Sequence, residues 1–133
     1  MRVVLDTNVI VSGALTAHGT CARVVDLLSE GVFEICADDR ILDEYESVLR
    51  RQELRIAAEN IAPLMELIRR AALQVAAVPL AAELPHPDDL PFLEVAAAGG
   101  AFLVTGNMRH YPRRARAGVT VMIPADFLKL IRQ

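Results

Sequence analysis

The residues of this 133-residue chain best suited to chemistry are a few oxygen-bearing side chains that follow short apolar runs. Val3-Val4-Leu5 breaks off at Asp6, Thr7 and Asn8, a carboxylate, a hydroxyl and an amide in succession. Glu44 stands in Ile41-Leu42-Asp43-Glu44-Tyr45, and Asp88 and Asp89 follow His86-Pro87. A later apolar run ends in Thr105-Gly106-Asn107. Side-chain oxygens gathered in one place suit Mg²⁺ or Mn²⁺, which take carboxylate, carbonyl and water ligands. No softer set competes. Cys21 and Cys36 fit no metal spacing and read as reduced, apolar packing residues. His18, His86 and His110 fall in predicted loops and are not expected to be catalytic.

These residues can act together only if the fold brings them together. Val3 to Leu5 reads as a buried strand, because it is apolar without polar alternation. Burying an unpaired carboxylate beside it would cost several kcal/mol, on the order of what polar-group transfer suggests, so Asp6 is expected at the strand's open carboxyl end. Further strands are predicted over residues 32–37, 74–78, 101–105 and 119–123. Helices are predicted over 9–15, 20–30, 40–51, 55–73 and 90–98, with a short terminal one from Pro124. Gly31 and Gly99-Gly100 supply stops, and Pro63 suggests an interruption or a fresh start in the fourth helix. Strands alternate with helices along one domain, residues 1–133. That order implies a three-layer α/β/α sandwich around a mostly parallel sheet of four to five strands.

In such a sheet the ends of the first and fourth strands can meet at one edge, with the starts of the following helices. Ile41, Tyr45, Val48 and Leu49 mark the buried face of the third helix. Glu44 lies roughly 90° from the centre of that face, Glu46 about 110°, and Asp43 nearly opposite, so Glu44 is best placed by a narrow margin. Structural roles stay open for the same residues. Asp6, Asp38, Asp39, Asp88 and Asp89 can all cap helices or face a helix dipole, and Asn107 can be a turn residue. The run Arg109, His110, Arg113, Arg114, Arg116 is either a solvated surface or a phosphate-contacting patch.

With 53% hydrophobic and only 23% charged residues, the chain is no disordered polyelectrolyte. A formal net charge of −3 gives no global basic field, so nucleic-acid binding would need a local patch. Met1 leads directly into the first strand and no apolar run approaches the roughly 20 residues of a membrane span, so a cytosolic protein without membrane contact is expected.

Four segments together resemble the PIN domain, a metal-dependent ribonuclease fold, and most of all its bacterial branch of toxins from toxin–antitoxin pairs, related to VapC-type toxins. They are Val4-Leu5-Asp6-Thr7-Asn8-Val9; Ile41-Leu42-Asp43-Glu44-Tyr45; His86-Pro87-Asp88-Asp89 with Phe92, Leu93 and Ala96; and Leu103-Val104-Thr105-Gly106-Asn107. A single such segment is common; four in order over residues 3–123 are specific.

The resemblance implies that Asp6, Glu44 and Asp89 are catalytic metal ligands. Asp89 is preferred to Asp88 by its spacing to Phe92 and Ala96, with Asp88 as alternative or second ligand. Many family members carry an acid where this chain has Asn107; an amide oxygen can still ligate a metal or orient water, but adds no negative charge. Thr7, Asn8 and Thr105 would support the ligands by hydrogen bonds. The implied reaction is endonucleolytic hydrolysis of RNA, leaving 5′-phosphate and 3′-hydroxyl ends, with Arg109, Arg113, Arg114 and Arg116 on the RNA backbone. A cognate antitoxin and a homodimer are implied partners, the apolar helices before Leu73 offering an interface. Two other readings compete. A haloacid-dehalogenase-like phosphatase needs a second Asp two residues after the first, and Asn8 cannot transfer a proton. A PIN-like scaffold with weakened metal binding would instead be a non-catalytic RNA- or protein-binding module.

Overall fold

The computed structural model describes residues 1–132. Five strands form one all-parallel sheet: β1 (Arg2–Leu5), β2 (Glu34–Ala37), β3 (Leu73–Gln74), β4 (Phe102–Val104) and β5 (Val121–Met122), in the spatial order β3-β2-β1-β4-β5. Six helices accompany them: α1 (Thr7–Leu15), α2 (Thr20–Ser29), α3 (Asp39–Leu49), α4 (Ala58–Ala71), α5 (Leu90–Gly99) and α6 (Pro124–Ile131). The result is the expected three-layer α/β/α sandwich, with five strands, all parallel, among the described residues.

The strand order explains where a site can form. From β1 the chain steps outward to β2 and β3, then returns to the other side of β1 for β4 and β5. The reversal opens a crevice at the carboxyl ends of β1 and β4, the place where open α/β sheets hold ligands. Register fixes the two ends level: Leu5 pairs with Val104, and the Asp6 N–H donates to the Val104 carbonyl at 2.9 Å. Val3, Val4 and Leu5 are wholly buried, because β1 is the central strand and is covered on both faces. Helix α5 packs across β1, β2 and β4 with Phe92, Leu93, Val95 and Ala96 buried. The Tyr45 hydroxyl, wholly buried on α3, donates to the Leu5 carbonyl and ties that helix to the end of β1.

Several boundaries differ from the sequence reading. β3 is only Leu73–Gln74, against residues 74–78 expected, and β5 is trimmed to Val121–Met122. Both are edge strands with a neighbour on one side only, and the chain after β3 runs as an irregular, proline-bearing segment to His86. α1 starts two residues earlier than expected because Asp6 caps it. α4 starts three residues later, after a 3₁₀ turn at Gln52–Leu54 that Arg55 closes in the left-handed region at φ 56°. Pro63 does not interrupt α4. It lies on the exposed side, where water can satisfy the carbonyl it leaves unpaired, while Ile61, Met65 and Ile68 bury the opposite face. Cys21 and Cys36 are free, Cys36 buried, as packing residues would be. Among the described residues no helix is long and apolar enough to cross a membrane.

Candidate active site

Asp6 is nearly buried, and its carboxylate is held by donors from three parts of the chain. Oδ1 accepts the Thr7 N–H at 2.8 Å; Oδ2 accepts the Thr105 hydroxyl at 2.8 Å and the Tyr111 hydroxyl at 3.1 Å. Burial pushes the Asp6 carboxyl above its ordinary value, and these hydrogen bonds oppose the shift. The capping role and the place in the cleft thus belong to the same side chain.

The residues around it form a connected network. The Thr7 hydroxyl donates to Glu44 Oε2, so Thr7 links one carboxylate through its backbone and another through its side chain. The Thr105 hydroxyl also accepts the Asn107 N–H at 3.0 Å. Asn8 Oδ1 accepts the Gly106 N–H at 2.8 Å, which pins the turn after β4 to the start of α1. A Cβ at Gly106 would lie 3.1 Å from Asn8 Oδ1, so glycine permits this close approach. Asn8 is thereby a strap between two strand ends, not the proton-transferring acid that a phosphatase needs there.

On α3 the three acids point to different surroundings. Glu44 faces the cleft. Glu46 instead binds Arg50 at 3.0 Å and Arg69 at 3.1 Å, and Asp43 is exposed beside Arg69 at 3.5 Å. Asp38 accepts the Ile41 N–H at 3.2 Å and caps α3, and Asp39 lies in its first turn.

From the other side, a 3₁₀ turn at Pro87–Asp89 leads into α5 and brings Asp89 to the cleft, while Asp88 is exposed and does not line it. Burial and the nearby Asp6 charge push the Asp89 carboxyl upward. His110 Nδ1 bonds Asp89 Oδ2 at 2.8 Å, and its ring lies against that of His86 with centroids 4.1 Å apart. Asn107 is half-buried and outside the cleft lining.

Asp6, Glu44 and Asp89 therefore line one solvent-open cleft of about 350 Å³, together with Thr7, Asn8 and His110 and, farther along, Val11, Val48 and Arg51. Among the described residues, no three His, Cys, Asp or Glu side chains stand close enough to form a ready metal cage. The donor chemistry nonetheless fits a hard divalent cation: three carboxylates face one space, and two of them have carboxyls pushed upward in a way a bound cation would relieve.

A family model of the PIN domain matches residues 2–109. The chain belongs to the PIN-domain family. The matched stretch takes in Asp6, Glu44, Asp89 and Thr105 and stops short of His110 and Tyr111, which this PIN domain brings to Asp89 and Asp6. No curated protein matches the sequence. Among solved structures, a chain in the crystal structure of VapBC2 from Rickettsia felis, bound to a DNA fragment from their promoter, superimposes with a TM-score of 0.59 at 17% identity. The alignment covers 92% of this chain and 98% of that one, a likeness of the whole fold.

The arginines of the basic loop divide into two groups. Arg109, Arg113 and Arg114 are exposed and none lines the cleft; Arg116 donates its Nε to the Tyr111 carbonyl at 2.8 Å and so holds the loop that carries Tyr111. The sequence reading assigned no site role to Arg51 or His110, which line the cleft, or to Tyr111, which is buried behind it and donates to Asp6. The one signal for Tyr111 was an isolated aromatic inside an Arg-rich loop; for Arg51 it was the seven-residue step from Glu44.

Proposed function

We propose that this PIN domain is a Mg²⁺- or Mn²⁺-dependent endoribonuclease and the toxin of a toxin–antitoxin pair. The observation that carries the reading is the convergence of Asp6, Glu44 and Asp89 on one cleft at the crevice between β1 and β4. In this reading these three carboxylates hold the cation. The cation, when bound, supplies Lewis acidity that makes water a better nucleophile and offsets charge on the phosphate. Thr105, Tyr111 and the Thr7 N–H orient Asp6, and the Thr7 hydroxyl orients Glu44. His110 engages one oxygen of Asp89 and leaves the other for the cation. Hydrolysis forms a bond between the water oxygen and phosphorus and breaks the P–O3′ bond, the leaving oxygen taking up a proton. Asp88 and Asn107, set back from the cleft, are not in the proposed ligand set. Arg109, Arg113 and Arg114 are proposed as outer contacts to the RNA backbone.

The toxin assignment draws on family membership and on the fold shared with a VapBC2 chain. It carries with it a cognate antitoxin, a homodimer and a cytoplasmic site of action. The test is twofold. Purified protein should cleave RNA, lose activity in EDTA and regain it with Mn²⁺, and the Asp6→Asn protein should be inactive. Induced expression should arrest growth, and Asp6→Asn should relieve the arrest. Cleavage indifferent to EDTA, or retained in Asp6→Asn, would overturn the enzymatic reading. The lack of a preformed three-ligand cage favours one second reading, a non-catalytic RNA- or partner-binding module. Calorimetric titration with Mn²⁺ separates the two, since the module would take up no metal.

A further inference from the structure

The cleft does not end at the carboxylates. It continues between α1 and α3, where Val11 and Val48 face it from opposite walls, and reaches Arg51. Glu44, Val48 and Arg51 are spaced i, i+4, i+7, which sets them on one stripe of α3 and its C-terminal turn, where the Arg51 N–H still bonds the Val48 carbonyl at 3.1 Å. Seven residues of helical rise place Arg51 about 10 Å along the helix from Glu44. Arg51 is exposed, and among the described residues no carboxylate lies within ion-pair distance of it. The arginines around it on α3 and α4 are otherwise occupied: Arg50 binds Glu46, Arg69 binds Glu46 and Asp43, and Arg70 binds Glu66. Cations paired with carboxylates have little to offer a phosphate. Arg51 keeps its fork of donors for an outside anion, at the far end of a groove whose near end is acidic and whose middle is apolar.

We propose that this extension is a binding subsite for a nucleotide flanking the scissile phosphate, with Arg51 on its backbone phosphate and Val11 and Val48 as a shelf for its ribose or base. The proposal rests on the endoribonuclease reading and adds the direction in which the RNA strand leaves the carboxylates, along α3. A Val shelf has no aromatic face or directional donor, so the subsite holds nucleotides with little discrimination between bases.

The test measures binding of a fluorescein-labelled, mixed-sequence oligoribonucleotide to the Asp6→Asn protein by anisotropy, over a salt series. Arg51→Ala on that background should weaken binding about tenfold and reduce the slope of log K against log salt by about 0.7, the value for one lost phosphate contact on a single strand. Arg51→Lys should keep the slope and lose only part of the affinity. Val48→Ala should weaken binding a fewfold without changing the slope. The control Arg70→Ala, outside the cleft, should change neither. Unaltered affinity and slope in Arg51→Ala, or no RNA binding by the Asp6→Asn protein, overturns the subsite. Wild-type cleavage is scored separately. Its absence alongside Arg51-dependent binding would sink the nuclease reading alone, and its presence with an indifferent Arg51 would sink the subsite alone.

Discussion

The hydroxyl of Thr105, one residue past the end of β4, donates to Asp6, one residue past the end of β1, at 2.8 Å. Ninety-nine positions separate the two in sequence, and parallel pairing of β1 with β4 makes them neighbours. Thr105 is wholly buried and its hydroxyl serves three partners, since it also accepts the Asn107 N–H at 3.0 Å and, at 3.5 Å, the Asn8 side-chain amide. Thr105→Val keeps the shape and removes all three bonds. It is expected to lower stability by about 1–3 kcal/mol, the cost of leaving buried polar groups unmatched, and to weaken Mn²⁺ binding. Thr105→Ser should retain most of both. Urea unfolding and metal titration of the pair check this; equal behaviour of Val and Ser would contradict it.

Glu44 and Glu46 are two positions apart and have opposite fates. Glu44→Gln removes a cleft carboxylate held by Thr7 and is expected to cut RNA cleavage at least about a hundredfold. Glu46→Gln disturbs solvent-screened ion pairs with Arg50 and Arg69 and should leave cleavage intact and stability little changed. Single-turnover cleavage by the two proteins decides the matter, and inactivation by Glu46→Gln would move the site.

His110 is expected to act through Asp89. Its Nδ1 makes the bond, and an asparagine amide nitrogen can stand close to the same position. His110→Ala should therefore lower Mn²⁺ affinity by about 10–100-fold, and His110→Asn should recover most of it. Metal affinity measured by calorimetry is the readout. If Asn is as weak as Ala, His110 contributes something other than this bond.

The metal-free protein should be more stable in mild acid than its carboxylate-substituted variants would suggest. Burial is the main cause that raises the Asp6 and Asp89 carboxyls, and for Asp89 the Asp6 charge adds to it. A raised acid binds its proton more tightly in the folded chain than in the unfolded one, so stability falls as pH rises through the gap. The contribution of each is fully present below about pH 3.9, the unfolded value, and is lost as pH passes the higher folded value. Glu46, lowered by Arg50 and Arg69, pulls the other way, losing stability as pH falls through its folded value. Comparing wild type with Asp6→Asn and Asp89→Asn in EDTA removes that background. Urea midpoints from roughly pH 4 to 8 should fall with pH more steeply for wild type, and parallel curves would refute the assignment.

Much of this was legible in residue order alone. Apolar runs ending in Asp6 and in Thr105-Gly106-Asn107 announced two strand ends, and strand–helix alternation implied that parallel pairing would join them. The helical period ranked Glu44 above Glu46, though only narrowly; the ion pairs of Glu46 on the outer surface supply the margin that angle did not. Tyr111 and His110 were hidden for a different reason. They reach Asp89 and Asp6 from a 3₁₀ turn after β4 and its closing residue, where no hydrophobic period reports which way a side chain faces. The Arg cluster around them drew attention as a charge run, while the cation at the cleft, Arg51, stands one residue beyond the C-cap of α3 and outside that run.

Because the second half of the chain returns to the other side of β1, the carboxylate cleft has no existence in a partial chain. A nascent chain that has released α3 presents Asp6 and Glu44 but lacks Asp89, Thr105 and Tyr111, and β1 still has an unpaired edge where β4 will dock. The cleft is therefore complete only once β4 has paired with β1 and the Tyr111 hydroxyl has reached Asp6, so the site can assemble only when the whole sheet does.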